Sequence, residues 1–590
     1  MDAPRRAEIP CESKLNIPLI TIFEQFSVEG LKIFLRHIVI LSAIFLSLLA
    51  TLPAQAPASV DALVQQQRWQ DIIQQLGPLP TRSAGQEYAL GLAFAGAERW
   101  PEARSAMLRG RKLDPSDKRF PVELAGITFK QGDQREALRW IHNALRLDPG
   151  DNYSNDFAGT LYFLAGNLEA AVQYWNRTGK PRIASLRNGT PLRIRPALLD
   201  HAFAYGPASV LELDQLRATR ARLDLLGVFP SYQLELDARE DGSFDSEFRA
   251  AERNRLGNSK LEALLQTFRG LPFQEVTPEY DNLHRSAINI ASIFRWDPDK
   301  RRYVASISGP LRGNPAWRYK LSGGELNENW EVRQSFTGQA PLLASTNLRR
   351  QHFNAELSRL IGWRWRWTLG AELSHRDFRN VQPGLALSPP LLASGSQLKQ
   401  TAGLEYQFWR SAVHRASTDV LLKSDFASLW SEPNQSFAKF QGGIRAHWFP
   451  QARGGDYETD WGLSAGTAAG ELPFDELYMV GVERDNNLWL RAHIGTRDGR
   501  KGSAPLVRGY FLSNWQTDKI LYSNGLITVK MGPFVDTAKL SNSISGPQST
   551  KWLWDAGGQA TVRVLGVGAT FIYGKDLRTG NNAFYFTVSR

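Results

Sequence analysis

The chain has 590 residues, of which 42% are hydrophobic and 22% charged, so its composition is globular and its length suits roughly two or three domains. Beyond residue 60 no apolar run approaches the roughly 18 residues that a spanning helix needs, which excludes a membrane protein built from several such helices. The formal net charge is +11, but the basic residues are spread among aromatic ones rather than clustered, so nucleic acid is not expected as a partner.

Residues 1–58 are predicted to comprise an upstream segment and a signal peptide for export. Basic residues within 32–37 precede an apolar run at 38–50, and small residues follow at 54–58. A basic start, a short apolar core and small residues before a cleavage site form the secretory pattern. The apolar run is short for a membrane anchor, so the mature chain is expected to begin near Ser59.

Residues 59–181 are predicted to form helical repeats. Leu113-Asp114-Pro115 recurs 34 residues later as Leu147-Asp148-Pro149. Small residues that would let paired helices touch fall on the same period: Gly91, Ala103, Ala125, Ala137, Gly159 and Ala171. This period is that of the tetratricopeptide (TPR) repeat, which the segment resembles over about 100 residues. The resemblance implies stacked helix pairs whose concave face binds a protein or peptide.

Residues 182–257 are predicted to form a small α/β module. The pattern predicts two helices and then two strands joined by an Asp-Gly turn, at residues 196–203, 213–226, 232–237 and 244–249. Gly227 and Phe229 lie between the second helix and this hairpin. The order of elements, with that glycine and phenylalanine, resembles a POTRA domain, the periplasmic module of outer-membrane assembly barrels. Another kind of small α/β domain is the alternative.

Residues 258–590 are predicted to form a transmembrane antiparallel β-barrel of about 16 strands. Trp363, Trp365, Trp367 and Leu369 alternate with polar residues, so one face of this strand is apolar and the other is charged. The alternation returns at 317–321, 404–408 and 584–589. An open sheet edge in hydrocarbon would leave backbone groups unpaired, so a closed barrel is expected.

Two motifs near the C-terminus indicate a family. Val507-Arg508-Gly509-Tyr510 follows a polar loop, and Phe534-Val535-Asp536 follows after one more strand. They resemble the paired signatures of the BamA, TamA and two-partner-secretion superfamily, also called the bacterial surface antigen family, in which an extracellular loop folds into the barrel lumen. The resemblance implies that Arg508 pairs with Asp536, that Gly509 forms a tight turn and that Tyr510 packs in the lumen.

The leading hypothesis is a bacterial outer-membrane barrel, embedded in outer-membrane lipid, that assembles or translocates polypeptides. It would receive protein or peptide clients through its TPR and POTRA-like domains in the periplasm, and assembly machinery would insert it. A polysaccharide-export porin with a TPR scaffold is the alternative, and a passive surface porin is a third.

The sequence shows no pattern that indicates an enzyme. The histidines are isolated, without a His-x-x-x-His pair, and no nucleophile elbow, phosphate-binding loop or dinucleotide fingerprint is present. The only cysteine, Cys11, lies in the segment expected to be removed. The chain is therefore expected to be neither an enzyme nor a protein with a cofactor or metal site.

Overall fold

A computed structural model describes residues 59–333, 342–383, 388–449, 457–523, 527–544, 551–564 and 567–589. The predicted signal segment, residues 1–58, lies outside the described residues. Contacts divide the chain between Leu161 and Tyr162 into two compact units. The division falls inside one helix and differs from the boundary predicted at residue 181.

The described residues of the first unit form helices joined by short turns. They are α1 (Val60–Gln65), α2 (Trp69–Leu76), α3 (Ala84–Gly96), α4 (Trp100–Leu113), α5 (Arg119–Lys130), α6 (Gln134–Leu147) and most of α7 (Asn152–Leu164). Local sequence fixes several helix starts, since the side chains of Ser83 and Asp133 accept hydrogen bonds from the first turns of α3 and α6. Such caps satisfy backbone N–H groups that have no partner within the helix.

Small residues let these helices approach each other closely. Gly91, Ala103, Ala125, Ala137 and Gly159 are all buried. A Cβ added at Gly91 would lie 3.0 Å from the sulfur of Met107 on α4, so a larger residue there would require the Met107 side chain to shift. The buried positions are those that the 34-residue period selects, and their assignment to the TPR family stays a prediction.

The second unit begins with a helix and a four-stranded α/β module. Its elements are α8 (Leu168–Trp175), β1 (Arg182–Asn188), α9 (Pro196–Ala202), β2 (Ser209–Val210), α10 (Leu213–Leu226), β3 (Ser231–Ala238) and β4 (Phe244–Ala251). The strand order is β2-β1-β4-β3, with β1 parallel to β4 and the other pairs antiparallel. Both helices and both hairpin strands lie where the pattern predicts them, whereas β1 and β2 were not predicted.

Of the two predicted turn residues of this module, Phe229 is buried and Gly227 is partly exposed, and Ala171 of α8 is fully buried. Gly227 ends α10 with a φ of +69°, a conformation that glycine adopts without strain. Phe229 is buried and meets Phe248 of β4 edge to face at 5.4 Å.

A helix, α11 (Lys260–Phe268), precedes the large sheet and was not predicted. The sheet comprises β5 (Glu275–Val276), β6 (Glu279–Leu283), β7 (Ile288–Arg295), β8 (Lys300–Leu311), β9 (Asn314–Arg333), β10 (Leu342–Ile361), β11 (Trp365–Pro383), β12 (Gly395–Ser411), β13 (Ala416–Trp430), β14 (Gln435–Trp448), β15 (Tyr457–Gly470), β16 (Tyr478–Met479), β17 (Thr496–Arg497), β18 (Arg500–Lys501), β19 (Leu506–Ser523), β20 (Ile527–Ser543), β21 (Leu553–Val564), β22 (Val567–Asp576) and β23 (Asn582–Ser589).

Among the described residues this sheet has 19 strands rather than about 16, because β16, β17 and β18 are short pieces within one long connection. Neighbouring long strands pair antiparallel from β6 to β15 and from β19 to β23, and β15 pairs with β19 across the connection. We call β5–β15 and β19–β23 the wall, and residues 471–505 the inner loop.

Along the wall, apolar side chains are exposed and charged side chains are buried, which is the reverse of the pattern in a soluble sheet. On β11, Leu369 and Leu373 are 55% and 54% exposed, whereas Arg376 is 0% exposed. Exposed apolar side chains on other strands include Phe353, Phe408, Leu422, Phe440, Phe571 and Phe584. Charged residues therefore line the face that the inner loop contacts, and apolar residues cover the other face. None of the described helices is both long and apolar enough to cross a membrane.

Strand β11 starts at Trp365, two residues later than the alternation in the sequence predicts. Trp363 lies in the turn between β10 and β11, and Trp365 is the first residue of β11. The Trp363 indole N–H donates to Asp214 of α10 at 3.0 Å, and the Arg217 guanidinium lies 4.6 Å from its ring centroid. This tryptophan therefore joins the α/β module to the wall.

Candidate functional site

The inner loop touches strands along most of the wall, from β5 to β22. A flat sheet would hold its first and last strands far apart, because adjacent strands lie about 4.8 Å from each other. One connection can reach them all only if the wall curves around it. Three groups of buried ion pairs fix the loop in this place.

The first attachment joins Arg491 of the loop to Asp536 of β20. The guanidinium donates to both carboxylate oxygens, with its Nη2 2.7 Å from Oδ1 and its Nε 2.9 Å from Oδ2. The backbone N–H of Arg491 donates to the same carboxylate at 3.0 Å. Both side chains are almost fully buried, at 4% and 0% exposed. A bidentate, buried pair of this kind has a fixed geometry as well as a favourable charge interaction.

The Arg491 guanidinium makes further contacts with the wall. Its Nη1 donates to the side-chain oxygens of Gln516 (2.9 Å) and Gln559 (3.2 Å), and its guanidinium lies 3.8 Å from the ring centroid of Phe534. Phe534 and Asp536 belong to the predicted Phe-x-Asp motif, and the structure brings both to one arginine. Gly574 of β22 makes room for the loop, because a Cβ there would lie 2.8 Å from the carbonyl oxygen of Arg491.

The predicted partner of Asp536 is wrong. Arg508 lies on β19, where its Nη1 donates to the carbonyl of Gly470 at 2.7 Å and its nearest carboxylate, that of Glu471, is 4.0 Å away. Gly509 is also a strand residue and forms no tight turn, although a Cβ there would lie 2.4 Å from the Ser541 hydroxyl.

Tyr510 lies on the inner face of the wall. Its ring packs at 4.9 Å against Tyr478 of the inner loop, and its hydroxyl accepts from the Gln441 amide at 3.1 Å. The Arg-Gly-Tyr string therefore lies near the start of a wall strand, where Tyr510 packs against Tyr478 of the inner loop and Arg508 lies 4.0 Å from Glu471 at the beginning of that loop.

A closer reading of the alternation could have located the correct arginine. Tyr510, Leu512 and Asn514 alternate with Phe511 and Ser513, which extends the strand pattern back to Val507 and places Arg508 within it. Arg491 lies upstream in the loop proper, in Trp489-Leu490-Arg491, without a glycine beside it. Arg491 and Asp536 are far apart in the sequence, so no short-range sequence pattern indicates that they pair.

The second attachment joins Asp475 and Glu476 to the wall strands β10, β11, β12 and β14. The Glu476 carboxylate, which is 4% exposed, lies within 3.5 Å of four cationic side chains: Arg350 (2.9 Å), Lys399 (3.2 Å), Arg376 (3.3 Å) and Lys439 (3.5 Å). Asp475 adds a contact to Arg350 at 3.0 Å. From sequence these acids were not assigned a site, because the basic residues that bind them are spread over four separate strands.

The third attachment joins the β17–β18 hairpin to β8 and β9. The Lys501 ammonium lies 2.9 Å from Glu328 of β9 and 2.7 Å from Asp485, and Arg302 of β8 contacts both carboxylates. Nearby, Arg484 of the loop lies 3.0 Å from Glu275 of β5. The inner loop thus presents two cations, Lys501 and Arg484, to acidic wall residues here, and one acid, Asp485, to Arg302 of the wall.

Apolar packing completes the seat of the inner loop. Phe474 is fully buried, with ring centroids of Trp330 and Phe378 each 5.0 Å away. Beyond the loop the interior is hollow, and a cavity of about 630 Å³ is lined by Arg318, Arg366, Tyr510, Leu488 and residues from several other strands. The loop therefore fills part of the interior and leaves part of it open.

A separate ion cluster attaches α8 to the opposite end of the wall. Glu169 contacts Arg217 of α10 (2.7 Å), Arg410 at the end of β12 (2.7 Å) and Arg220 (3.2 Å). Burial favours the neutral acid, but the three arginines prevail and hold the pKa of Glu169 below its usual value. Because β15 runs away from this end, the inner loop begins at the other end of the wall.

Two groups of side chains could hold a metal ion among the described residues. They are His447 with Glu458 and Asp460, which are half-buried, and His493 with Asp555 and Asp576, which are buried. Each group draws its members from different strands or from the inner loop, so short sequence spacing does not reveal it. The sequence predicted no metal site.

No family model and no curated protein matches the chain. Among solved structures, it is similar to BamA from Haemophilus ducreyi lacking POTRA domains 1–3, with 10% identity and a TM-score of 0.41 over 69% of this chain and 84% of that one. It is similar to CdiB from Escherichia coli (14%, 0.45, 70% and 75%) and to CdiB from Acinetobacter baumannii (9%, 0.41, 69% and 73%). These values are low, so the function proposed below rests on the contacts of the inner loop and the wall.

Proposed function

We propose that the chain is an outer-membrane β-barrel that inserts or translocates polypeptides, with the inner loop as its plug. The observation that carries this proposal is the attachment of one loop to several sides of a hollow wall through buried ion pairs. Ionic attachments suit a plug that must leave and return, because both partners can be hydrated once water enters the interior. An apolar core would instead expose hydrophobic surface each time the plug left.

The outer face of the wall supports a location in lipid. Many of its aromatic and aliphatic side chains are exposed. Contact of this much apolar surface with water would be unfavourable, whereas contact with lipid hydrocarbon would not. Lipid also requires that no strand edge remain unpaired. We infer that the sheet closes between β5 and β23, where Phe273 packs at 4.9 Å against Phe586.

The positions of the attachments suggest an orientation. The α/β module contacts the turns after β10 and β12, and the inner loop enters from the opposite end. A secretory signal would place the helical unit and the module in the periplasm, so the inner loop would enter from outside the cell. The outer-membrane assembly machinery would be the partner that inserts the wall.

The helical unit and the module are proposed as the receiving domains. The 34-residue period and the buried small residues support a TPR assignment, and the element order with Gly227 and Phe229 supports a POTRA assignment. Strand β3 lies at the edge of its sheet and faces a cavity of about 840 Å³ that includes residues 411 and 415–417 of the wall. An extended client segment could pair with such an edge.

The proposal is tested by photocrosslinking in cells. A photoreactive amino acid at Leu488, which lines the interior cavity, is expected to yield adducts with polypeptide in transit. The same group at Phe408, which is 65% exposed on the outer face, is the matched control and should yield none.

The expected adducts at Leu488 disappear within minutes after translation is stopped, since transit needs newly made chains. Adducts that persist without translation and contain carbohydrate would overturn the proposal and favour a polysaccharide exporter. Equal adducts at Leu488 and Phe408 would contradict a path through the interior.

A further inference from the structure

Three buried aspartates form a row across neighbouring strands of the wall. Asp536 of β20 is directly opposite Asp555 of β21, which is directly opposite Asp576 of β22. Their exposures are 0%, 0% and 1%. Directly opposed residues share a face of the sheet, and like charges in that position repel each other. The row therefore needs compensating positive charge.

The inner loop supplies only part of that charge. Arg491 neutralises Asp536, as described above. Among the described residues, His493 faces the other two carboxylates: its Nδ1 lies 3.0 Å from Asp555 Oδ2, and its Nε2 lies 3.7 Å from Asp576 Oδ2. Three carboxylates and one arginine leave a net charge of −2, which a protonated imidazole alone would only halve. Buried charges of this kind are ordinarily paired or bound to a metal ion.

The carboxylates are oriented as metal ligands usually are. Asp555 Oδ2 accepts the backbone N–H of Ala492 at 2.6 Å, and Asp576 accepts the backbone N–H of Arg578 and the hydroxyl of Thr579. Within the described part of the chain, the second oxygen of Asp555, Oδ1, is buried and makes no hydrogen bond. Outer hydrogen bonds that fix the ligands are typical of protein metal centres, and an open carboxylate oxygen offers a coordination position.

We propose that His493, Asp555 and Asp576 bind a divalent transition-metal cation, with Zn²⁺ as the best match to one imidazole and two carboxylates. One ligand atom from each residue lies within 4.8 Å of the others. Zinc holds nitrogen and oxygen ligands at about 2.0–2.2 Å, so binding would draw these atoms together by about 1 Å. The two positive charges offset the net −2 of the aspartate row.

Such an ion would add a further attachment of the inner loop to the wall, two residues from Arg491. The plug would then be held by a bond whose strength depends on the supply of metal. This property concerns the loop alone and does not depend on what the barrel transports.

The site is tested by zinc binding to the purified, chelator-treated full chain in detergent. Wild-type protein is expected to bind one Zn²⁺ per chain, measured by calorimetry and by metal analysis after gel filtration. His493→Gln should weaken binding by about 100-fold or more, since it removes a direct ligand. His447→Gln is the matched control, because His447 belongs to the other histidine–carboxylate group, and it should bind as wild type does.

Several results would overturn the site: no binding up to about 1 mM zinc, equal binding by His493→Gln and wild type, or loss of binding in His447→Gln. If His493→Gln lacks the compact gel band of a folded barrel, Asp576→Asn replaces it under the same expectation. Wild-type protein loaded with Co²⁺ gives an independent readout. Absorption bands of a four-coordinate nitrogen–oxygen site are expected, and a spectrum of hydrated cobalt alone would overturn the proposal.

Discussion

The two main attachments of the inner loop have opposite charge patterns. On β20–β22 the wall contributes a row of aspartates, and the loop brings Arg491. On β10–β14 the wall contributes arginines and lysines, and the loop brings Asp475 and Glu476. Exchanging the two ends of the loop would place like charges together, which costs several kcal/mol in a dry site. The charge pattern therefore favours the observed placement of the inner loop over the reversed one.

The two attachments also differ in how their charge is distributed. Asp536 depends on one arginine for its charge balance, so losing that residue leaves a buried carboxylate with the neutral Asn514 amide as its side-chain donor. Glu476 contacts four cations, three of which also contact Asp475 or Glu372, so the cluster can lose one member and keep much of its balance. We expect the first attachment to fail abruptly on mutation and the second to weaken gradually.

The largest effect is expected from Arg491→Ala. Removing one partner of a buried pair costs about 3–5 kcal/mol, because the remaining charge stays desolvated. The loop should leave its seat, and single-channel conductance in planar bilayers should rise well above that of wild type. Arg508→Ala is the matched control: Arg508 is a half-buried arginine without a close carboxylate, so a change below about 1 kcal/mol and an unaltered conductance are expected.

A double-mutant cycle sharpens this result. If Arg491 and Asp536 form one unit, Arg491→Ala combined with Asp536→Ala should be little worse than either single change. Simple addition of the two effects on the free energy of unfolding would contradict the pairing.

Most of the secondary structure follows from local patterns in the sequence, whereas the site does not. The bounds of α10 and the alternation along β11 depend on neighbouring residues, so periodicity predicts them. The partner of Asp536 depends on which of two arginines, 17 residues apart, enters the interior. The Arg-Gly-Tyr motif at Arg508 resembles a known family signature and therefore favours Arg508 as the partner. The alternation of side chains, however, places Arg508 within a wall strand and not in the inner loop. The cationic group around Glu476 draws on four strands, and no spacing along the chain could indicate it.

The second prediction concerns Glu476→Gln. The variant keeps the shape of the side chain but removes the carboxylate charge facing Arg350, Arg376, Lys399 and Lys439. Because Asp475 and Glu372 remain, we expect a loss of about 2–3 kcal/mol, less than for a pair left without any partner. Heat-modifiable gel migration across a temperature series measures it. Glu471→Gln, at a side chain 61% exposed, should match wild type, and a larger loss than in Arg491→Ala would reverse the proposed ranking.

The third prediction concerns Gly574→Ala, which tests how closely the loop backbone lies to β22. The added Cβ would lie 2.8 Å from the carbonyl oxygen of Arg491, so the loop or the strand must shift at a cost of about 1–3 kcal/mol. Conductance should rise modestly. Gly558→Ala on the neighbouring strand β21 is the control, since its nearest atom would be 3.8 Å away. Equal behaviour of the two alanine variants would show that the loop does not lie against Gly574.

The smallest effect is expected at the other end of the wall, where Glu169 contacts three arginines. Two of these, Arg220 and Arg410, are about one-third exposed, so water screens part of the interaction. Glu169→Gln should therefore cost only about 1 kcal/mol and increase amide hydrogen exchange in α8 at pH 7. Glu235→Gln, on the exposed edge of the module, should leave that exchange unchanged.

The pH dependence at Glu169 has a definite sign. Its pKa is lowered in the folded protein, so the stabilisation is present above the ordinary pKa of about 4.5 and is lost as pH falls through the folded value. Exchange in α8, corrected for its intrinsic dependence on pH, should therefore be faster in Glu169→Gln than in wild type at pH 7. The two proteins should converge once the pH has fallen through the folded pKa and the wild-type carboxylate is protonated. A difference that stays constant throughout the acid titration would mean that the glutamate stabilises α8 through packing and not through its charge.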